Sequence, residues 1–296
     1  MTRTDPTIVY VHGNGNKLAK DELKAKWDEA LFGRDMGETT RMAYYADLHY
    51  PQPLPLEESV TFDQIALESL GANDPEDIEV FRADLRTDME DEFGELDPGM
   101  ISLMDRLVDA EPVVADREPP QDSGLEALPT RWLRTLALRR LTKRFARDVY
   151  RYFFKGADTG MKARVQEQLD DLEGPIVVLG HSLGSIVAYD VLNELPEGSK
   201  DVRLYLTVGS PLGIKEVQDH LSQPQRVPPD VDTWTNLSDR RDIVALDATL
   251  RGDFTPAEKV TDYAVDNWTN NNHSIQGYLD KPEALQAIEE AIGPVG

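Results

Sequence analysis

The chain has 296 residues, no cysteine, and 55 acidic against 31 basic side chains, which gives a formal net charge of −24. The absence of cysteine excludes disulfide bonds, thiolate catalysis and Cys-ligated metal sites. The negative charge argues against nucleic acid and anionic membrane surfaces as partners, because like charges repel. The acidity is typical of a solvated surface that keeps a protein soluble, with adaptation to salt as the alternative.

The first predicted element is a short apolar segment at residues 8–11, which follows a polar N-terminus. This segment is far too short for a membrane span or for the apolar part of a signal peptide. The sequence therefore predicts no stable membrane insertion and a cytoplasmic location, unless a leader peptide precedes it.

Short apolar runs alternate with helical patterns along the chain, and this alternation is typical of a parallel sheet with helices on its faces. One helix is predicted in each of three segments, 13–41, 183–201 and 276–295. The predicted fold class is α/β, with a mostly parallel central sheet of about six strands flanked by helices. The strands are predicted from runs rich in β-branched and aromatic residues at 8–11, 42–46, 176–179, 202–208, 233–237 and 260–265.

The segment 51–160 is longer than a crossover connection requires and opens with a proline cluster, so we predict a helical insertion. The predicted domains are a core, formed by residues 1–50 and 161–296, and a cap or lid at 51–160. The insertion contains an acidic stretch, 74–97, and a basic stretch, 131–155, whose opposite charges can pair. The basic stretch also has apolar residues at helical spacing, which predicts an amphipathic helix.

Two roles are open for the apolar face of this basic helix. The first is ordinary core packing. The second is a movable lid that covers a substrate pocket and opens at a lipid surface, with Pro119, Pro120 and Gly156 as hinges. Only the second role makes the insertion part of a catalytic cycle.

A nucleophile motif lies between the third predicted strand and the helix that follows it. The pattern is Gly-x-Ser-x-Gly, in the sequence Gly180-His181-Ser182-Leu183-Gly184. In this pattern the serine occupies a sharp turn, and the flanking glycines allow close backbone packing while the hydroxyl projects above the sheet. The alternative is an ordinary strand-to-helix turn with an incidental serine.

The motif and its context resemble the esterases and lipases of the α/β-hydrolase superfamily, which carry a Gly-His-Ser-Leu-Gly turn. A second segment, at residues 207–213, resembles the strand that follows this turn in lipases related to glycosylphosphatidylinositol inositol deacylases. The resemblance covers most of the chain outside the insertion. It implies the α/β-hydrolase fold, without the first two strands of the full family sheet, and a catalytic order of serine, acid and histidine.

The base that would activate Ser182 is predicted from the histidines. A serine hydroxyl needs a histidine to accept its proton and a carboxylate to orient that histidine. His273 follows the last predicted strand, in the position where the family carries its base, with an exposed loop histidine as the alternative. The other four are disfavoured because they precede the serine, lie inside the motif, or fall in a predicted helix ahead of any strand that could supply the acid: His12, His49, His181 and His220.

Three aspartates follow the fifth predicted strand and compete for the role of the acid: Asp239, Asp242 and Asp247. Asp242 is the predicted acid, since the sequence around it resembles the Asp-x-Val segment that carries the acid in the family. Asp239 is the first replacement. The alternative is that Asp242 is a surface residue that pairs with Arg240 or Arg241.

Two backbone amides are expected to bind the negative oxygen of a tetrahedral intermediate. One belongs to Leu183, directly after the serine. The other comes from the loop after the first strand, which resembles the His-Gly loop of lipases; Asn14 is the predicted donor and Gly13 the alternative. A phosphate-binding loop at Gly13 and Gly15 is disfavoured, because no third glycine follows at the required spacing.

The expected function is hydrolysis of carboxylic esters, with a small-molecule ester or a lipid as substrate and no metal or cofactor. The same residues also suit a thioesterase, an amidase or an acyltransferase. A catalytically silent protein of this fold, which uses its pocket or insertion for binding, is the alternative from another class. No motif in the sequence encodes the acyl length, the leaving group or the oligomeric state.

Overall fold

The computed structural model describes residues 4–55, 77–116, 131–267 and 272–295. All six predicted strands are confirmed: β1 (Thr7–Val11), β2 (Thr40–Ala43), β3 (Ile176–His181), β4 (Val202–Val208), β5 (Val231–Ser238) and β6 (Val260–Ala264). They form one sheet in the order β2-β1-β3-β4-β5-β6. Each neighbouring pair is parallel, so the sheet is entirely parallel where the sequence predicted a mostly parallel one.

Helices flank this sheet, and the fold is therefore of the α/β class. The described helices are α1 (Lys20–Phe32), α2 (Ile78–Phe93), α3 (Pro98–Ala115), α4 (Arg131–Phe154), α5 (Ala157–Leu169), α6 (Leu183–Glu194), α7 (Lys215–Gln218), α8 (Gln276–Leu279) and α9 (Pro282–Ile292). None of these helices is both long and apolar enough to cross a membrane.

Two of the helix predictions need correction. The segment 276–295 holds α8 and α9 rather than one helix, because Pro282 has no amide hydrogen with which to continue α8 and instead begins α9. The prediction of a helix at His220 is also wrong. Helix α7 ends at Gln218, and the amide of His220 donates to the carbonyl three residues back, at Val217, which is a turn.

Strands β1 and β3, in the middle of the sheet, are buried on both faces, which explains their nearly continuous apolar sequence. Since successive side chains point to opposite faces, Val9 and Val178 lie in one apolar core while Ile8 and Val177 lie in another. Helices α1 and α9 contribute to the second core, and α2 to α6 to the first.

The C-terminal half of α4 packs into the first core. Phe145, Val149 and Tyr152 are buried there with the sheet residue Val178, so this part of the apolar face has the role of core packing. Gly156, a predicted hinge, has a left-handed backbone with φ of 71° and separates α4 from α5. The other predicted hinges, Pro119 and Pro120, lie outside the described residues. The division into core and lid stays a prediction.

The acidic and basic stretches of the insertion do pair. Lys143 of α4 lies 3.0 Å from Asp88 of α2, and Arg147 lies 2.6 Å from Glu92. A further pair, Arg139 with Glu111 of α3, is buried: its side chains are 3% and 6% exposed, with nitrogen–oxygen distances of 2.7 and 2.9 Å.

We expect Arg139→Met to lower the free energy of unfolding by about 3 to 5 kcal/mol, because it leaves the buried carboxylate of Glu111 without its cation. Lys143→Met, which breaks a partly exposed pair on the same helix, is the matched control and should cost about 1 kcal/mol or less. Urea unfolding followed by circular dichroism measures both. Adding Glu111→Leu to Arg139→Met should recover most of the loss, and equal losses for the two single variants would contradict the expectation.

Candidate active site

Ser182 occupies a strained turn between β3 and α6. It is the only non-glycine residue with positive φ in the described parts of the chain, with φ of 54° and ψ of −131°. Hydrogen bonds hold this conformation on both sides. The Ser182 amide donates to the carbonyl of Val208 on β4 at 3.3 Å, and the Ser182 carbonyl accepts from the amide and the hydroxyl of Ser185 at 2.9 and 2.6 Å.

The two glycines of the motif are required by close backbone approaches. A Cβ at Gly180 would lie 2.7 Å from the Cα of Ser185, and one at Gly184 would lie 2.3 Å from the carbonyl oxygen of Val11. Both distances are too short for any side chain, so the turn can pack against β1 only when these positions are glycine.

The hydroxyl of Ser182 is buried, and no described residue forms a hydrogen bond with it. The loop after β1 lies directly against this serine, because a Cβ built at Gly13 would be 2.8 Å from the Cβ of Ser182. The structure thus brings together Ser182 and the loop predicted to supply an oxyanion donor.

His273 and Asp242 form a buried hydrogen-bonded pair. The Nδ1 atom of His273 lies 2.8 Å from Oδ2 of Asp242, and the two residues are 5% and 1% exposed. Asp242 accepts two further hydrogen bonds, from the Tyr278 hydroxyl at 2.8 Å and from the Val244 amide at 2.9 Å. Asp242 is therefore neither a surface residue nor the partner of a neighbouring arginine.

The pair and the serine follow the carboxyl ends of three strands of the parallel sheet: Ser182 follows β3, Asp242 follows β5 and His273 follows β6, with β4 between β3 and β5. Gly209 follows Val208, whose carbonyl binds the Ser182 amide. A Cβ at Gly209 would lie 2.9 Å from Oδ2 of Asp242 and 3.3 Å from Nδ1 of His273. Val208 thus holds the backbone of Ser182, and Gly209 leaves room for Asp242 and His273, at the edge of the sheet where α/β proteins bind their ligands.

The other two candidate aspartates have different partners. Asp239 is fully buried, binds the guanidinium of Arg241 at 2.7 Å and accepts from the Asn267 amide at 2.6 Å. Asp247 pairs with Arg106 of α3 at 3.4 Å. Since Asn267 in turn donates to the Ser274 carbonyl at 2.8 Å, Asp239 supports the loop that carries His273 without contacting it.

Two residues that sequence reasoning missed support this pair. The hydroxyl of Tyr278, on α8, donates to Asp242 and accepts from the Asp239 amide at 3.1 Å. The Nε2 atom of His181 lies 3.0 Å from the carbonyl oxygen of His273. Neither role has a sequence signal, because Tyr278 fits an apolar helix face and His181 fits the nucleophile motif.

The histidines around the serine are held in the neutral form by burial. Burial lowers the pKa of His12 to about 3 and lowers the pKa of His181 well below its usual value. His12 accepts at Nε2 from the Tyr45 amide at 3.1 Å, so its Nδ1 carries the proton and donates to the Gly13 carbonyl at 2.8 Å. Neither of these two rings therefore carries a positive charge.

The loop after β1 leaves one amide with no described acceptor. The Gly13 carbonyl binds His12, and a trans peptide places the Asn14 amide on the opposite side. No described residue accepts a hydrogen bond from that amide. Leu183 is the first residue of α6, so its amide has no acceptor within the helix. Neither of the two predicted donors, Asn14 and Leu183, therefore has its amide bound within its own loop or helix.

No described group of three or more His, Asp or Glu side chains is arranged to hold a metal ion. Comparisons with protein families, curated proteins and solved structures find no match to the chain. The fold and the site are therefore interpreted from their own geometry, within the α/β class.

We expect Ser182→Gly to be more stable than Ser182→Ala by about 1 to 3 kcal/mol, because only glycine adopts the backbone angles of this turn without strain. At ordinary helical positions the order is reversed, and Ala163→Gly on the exposed face of α5 should lose about 1 kcal/mol. Chemical unfolding of the three variants measures the difference. A Ser182→Gly variant less stable than Ser182→Ala would show that the turn is not strained.

Proposed function

We propose that the chain is a serine hydrolase of the α/β-hydrolase kind that cleaves carboxylic esters. The observation that carries this proposal is the buried Asp242–His273 hydrogen bond beside Ser182, whose strained turn projects a hydroxyl with no described partner. The order of the three residues along the chain, serine, acid, histidine, agrees with that superfamily.

In the proposed reaction the Ser182 hydroxyl attacks the acyl carbon, and Nε2 of His273 accepts its proton. The new oxygen–carbon bond converts the carbonyl oxygen to an anion. When this intermediate collapses, the bond to the leaving alcohol breaks, and His273 returns the proton to that alcohol. Water, activated by His273 in turn, then hydrolyses the acyl-enzyme and restores the serine.

Asp242 has two tasks in this scheme. It holds the proton on Nδ1 of His273, so that Nε2 faces the serine, and it stabilises the positive charge that forms on the ring. The hydrogen bonds from Tyr278 and Val244 fix the orientation of this carboxylate toward His273. His12 and His181 are neutral, so neither adds a positive charge that would oppose the charge formed on His273 during the reaction.

The amides of Leu183 and Asn14 are the proposed oxyanion donors. The Leu183 amide also begins α6, so the positive end of the helix dipole favours the developing charge. Gly13 permits the loop to approach Ser182 closely. A small ester or a lipid is the proposed substrate, and a substrate panel that includes thioesters separates an esterase from a thioesterase or an acyltransferase.

The test of this proposal is covalent labelling with a fluorophosphonate probe, together with hydrolysis of p-nitrophenyl esters. We expect the wild-type protein to be labelled at Ser182 and Ser182→Ala to lose label and at least about 10³-fold in rate. Ser102→Ala, on the exposed surface of α3, is the matched control and should keep both. An unlabelled, inactive wild-type protein would favour the silent binding protein, and an active Ser182→Ala variant would overturn the assignment of the nucleophile.

We expect Asp242→Asn to lower kcat by about 10³ to 10⁴-fold, because an amide holds the wrong tautomer of His273 and cannot stabilise its charge. Asp247→Asn, which alters an aspartate paired with Arg106, should stay within about twofold of wild type. Initial rates at saturating ester measure both. If Asp239→Asn rather than Asp242→Asn showed the large loss, Asp239 would be the acid.

A further inference from the structure

Asp148, on helix α4, contacts the proposed oxyanion loop from a distance of 133 residues in sequence. Its Oδ2 accepts a hydrogen bond from the Gly15 amide at 2.9 Å, and its side chain is only 8% exposed. Its Oδ1 lies 3.3 Å from Arg151 on the same helix. Burial raises the pKa of Asp148, while the Gly15 amide and the nearby cations Arg151 and Lys17 oppose that shift.

This hydrogen bond fixes one side of the peptide between Asn14 and Gly15. The other side is fixed too, because the ammonium group of Lys17 donates to the Asn14 carbonyl. The peptide before it is held through the Gly13 carbonyl by His12. The Gly13 carbonyl and the Asn14 amide belong to one planar peptide, so His12 restrains the proposed oxyanion donor on one side, while Asp148 and Lys17 restrain the peptide that follows it.

Gly15 is the part of this loop most in need of such a restraint. It has a φ of 78°, and no atom lies within 4 Å of a Cβ built on it, so neighbouring atoms do not restrict its rotation. A glycine in open space retains wide conformational freedom unless a hydrogen bond removes it. The bond to Asp148 is the described contact of the Gly15 amide.

We infer that Asp148 is a positioning residue for the oxyanion donor, through which the predicted insertion contributes to the active site. The inference rests on the proposed function. Asp148 does not touch the reacting atoms; it holds Gly15 so that the Asn14 amide points toward the oxygen that becomes negative. A purely structural Asp148 would affect folding stability without a selective effect on the transition state.

The test compares Asp148→Ala and Asp148→Asn in ester hydrolysis and in inhibition by a trifluoromethyl ketone, which forms a tetrahedral adduct with an anionic oxygen. We expect Asp148→Ala to lower kcat about tenfold, less than the 10² to 10³ lost when an oxyanion donor is removed outright, with KM within about twofold. Inhibitor affinity should fall by the same factor as kcat. Asp148→Asn, which can still accept from Gly15, should restore most of both.

Asp190→Ala is the matched control, because Asp190 is also a buried aspartate that binds α4, through the Tyr152 hydroxyl at 2.7 Å. It should lose stability but keep kcat and inhibitor affinity. If Asp148→Ala fails to fold, Gly15→Ala tests the same loop, because alanine strains the left-handed backbone that presents the amide to Asp148. Gly33→Ala is its control, at a similar left-handed angle with equally open surroundings. Gly15→Ala should show the kinetic signature of Asp148→Ala, and Gly33→Ala should not.

The outcomes separate the inference from the proposed function. If the wild-type protein neither reacts with the fluorophosphonate nor hydrolyses esters, the proposed function fails. If the wild-type protein is active, the inference is overturned when Asp148→Ala changes kcat and inhibitor affinity by less than twofold, or when Asp148→Asn is as impaired as Asp148→Ala.

Discussion

The left-handed backbone of Ser182 is the constraint on which the arrangement of the site depends. The φ of 54° turns the backbone sharply between β3 and α6, and Gly184 of α6 lies directly against β1. Such strain persists only where surrounding contacts outweigh it. Here those contacts are the bond to Val208, the two bonds from Ser185, and the close packing that Gly180 and Gly184 permit.

The electrostatics of the site are local and do not follow from the net charge of the chain. A carboxylate buried as deeply as Asp242 is stable as an anion only when polar groups replace its water. Tyr278, Val244 and His273 supply those groups. Burial lowers the pKa of the neighbouring His12 and His181 rings, so both stay neutral. The excess of acidic residues elsewhere affects solubility and long-range steering rather than this balance.

Local sequence patterns were sufficient to predict the strands of the sheet and many of the residues that lie together at the candidate site. The central strands β1 and β3 are apolar runs because both faces of a parallel sheet are covered there. The nucleophile turn has a short motif because its glycines are required by backbone distances within a few residues. The choice of Asp242 over Asp239 depended on family resemblance alone. The physical difference is that the carboxylate of Asp239 binds Arg241 and Asn267, and only the three-dimensional contacts reveal this. The catalytic assignments themselves stay predictions until the variants are measured.

The contacts that sequence reasoning missed join segments far apart in the chain, and such contacts leave little trace in local periodicity. Asp148 is the instructive case. It is the single acidic residue in α4, a helix with eight basic residues that pairs with acidic α2 through Lys143 and Arg147. Its placement toward the core, against Gly15, accounts for this exception. Helix α4 thus has one face that pairs with its neighbours and one residue that binds the loop after β1.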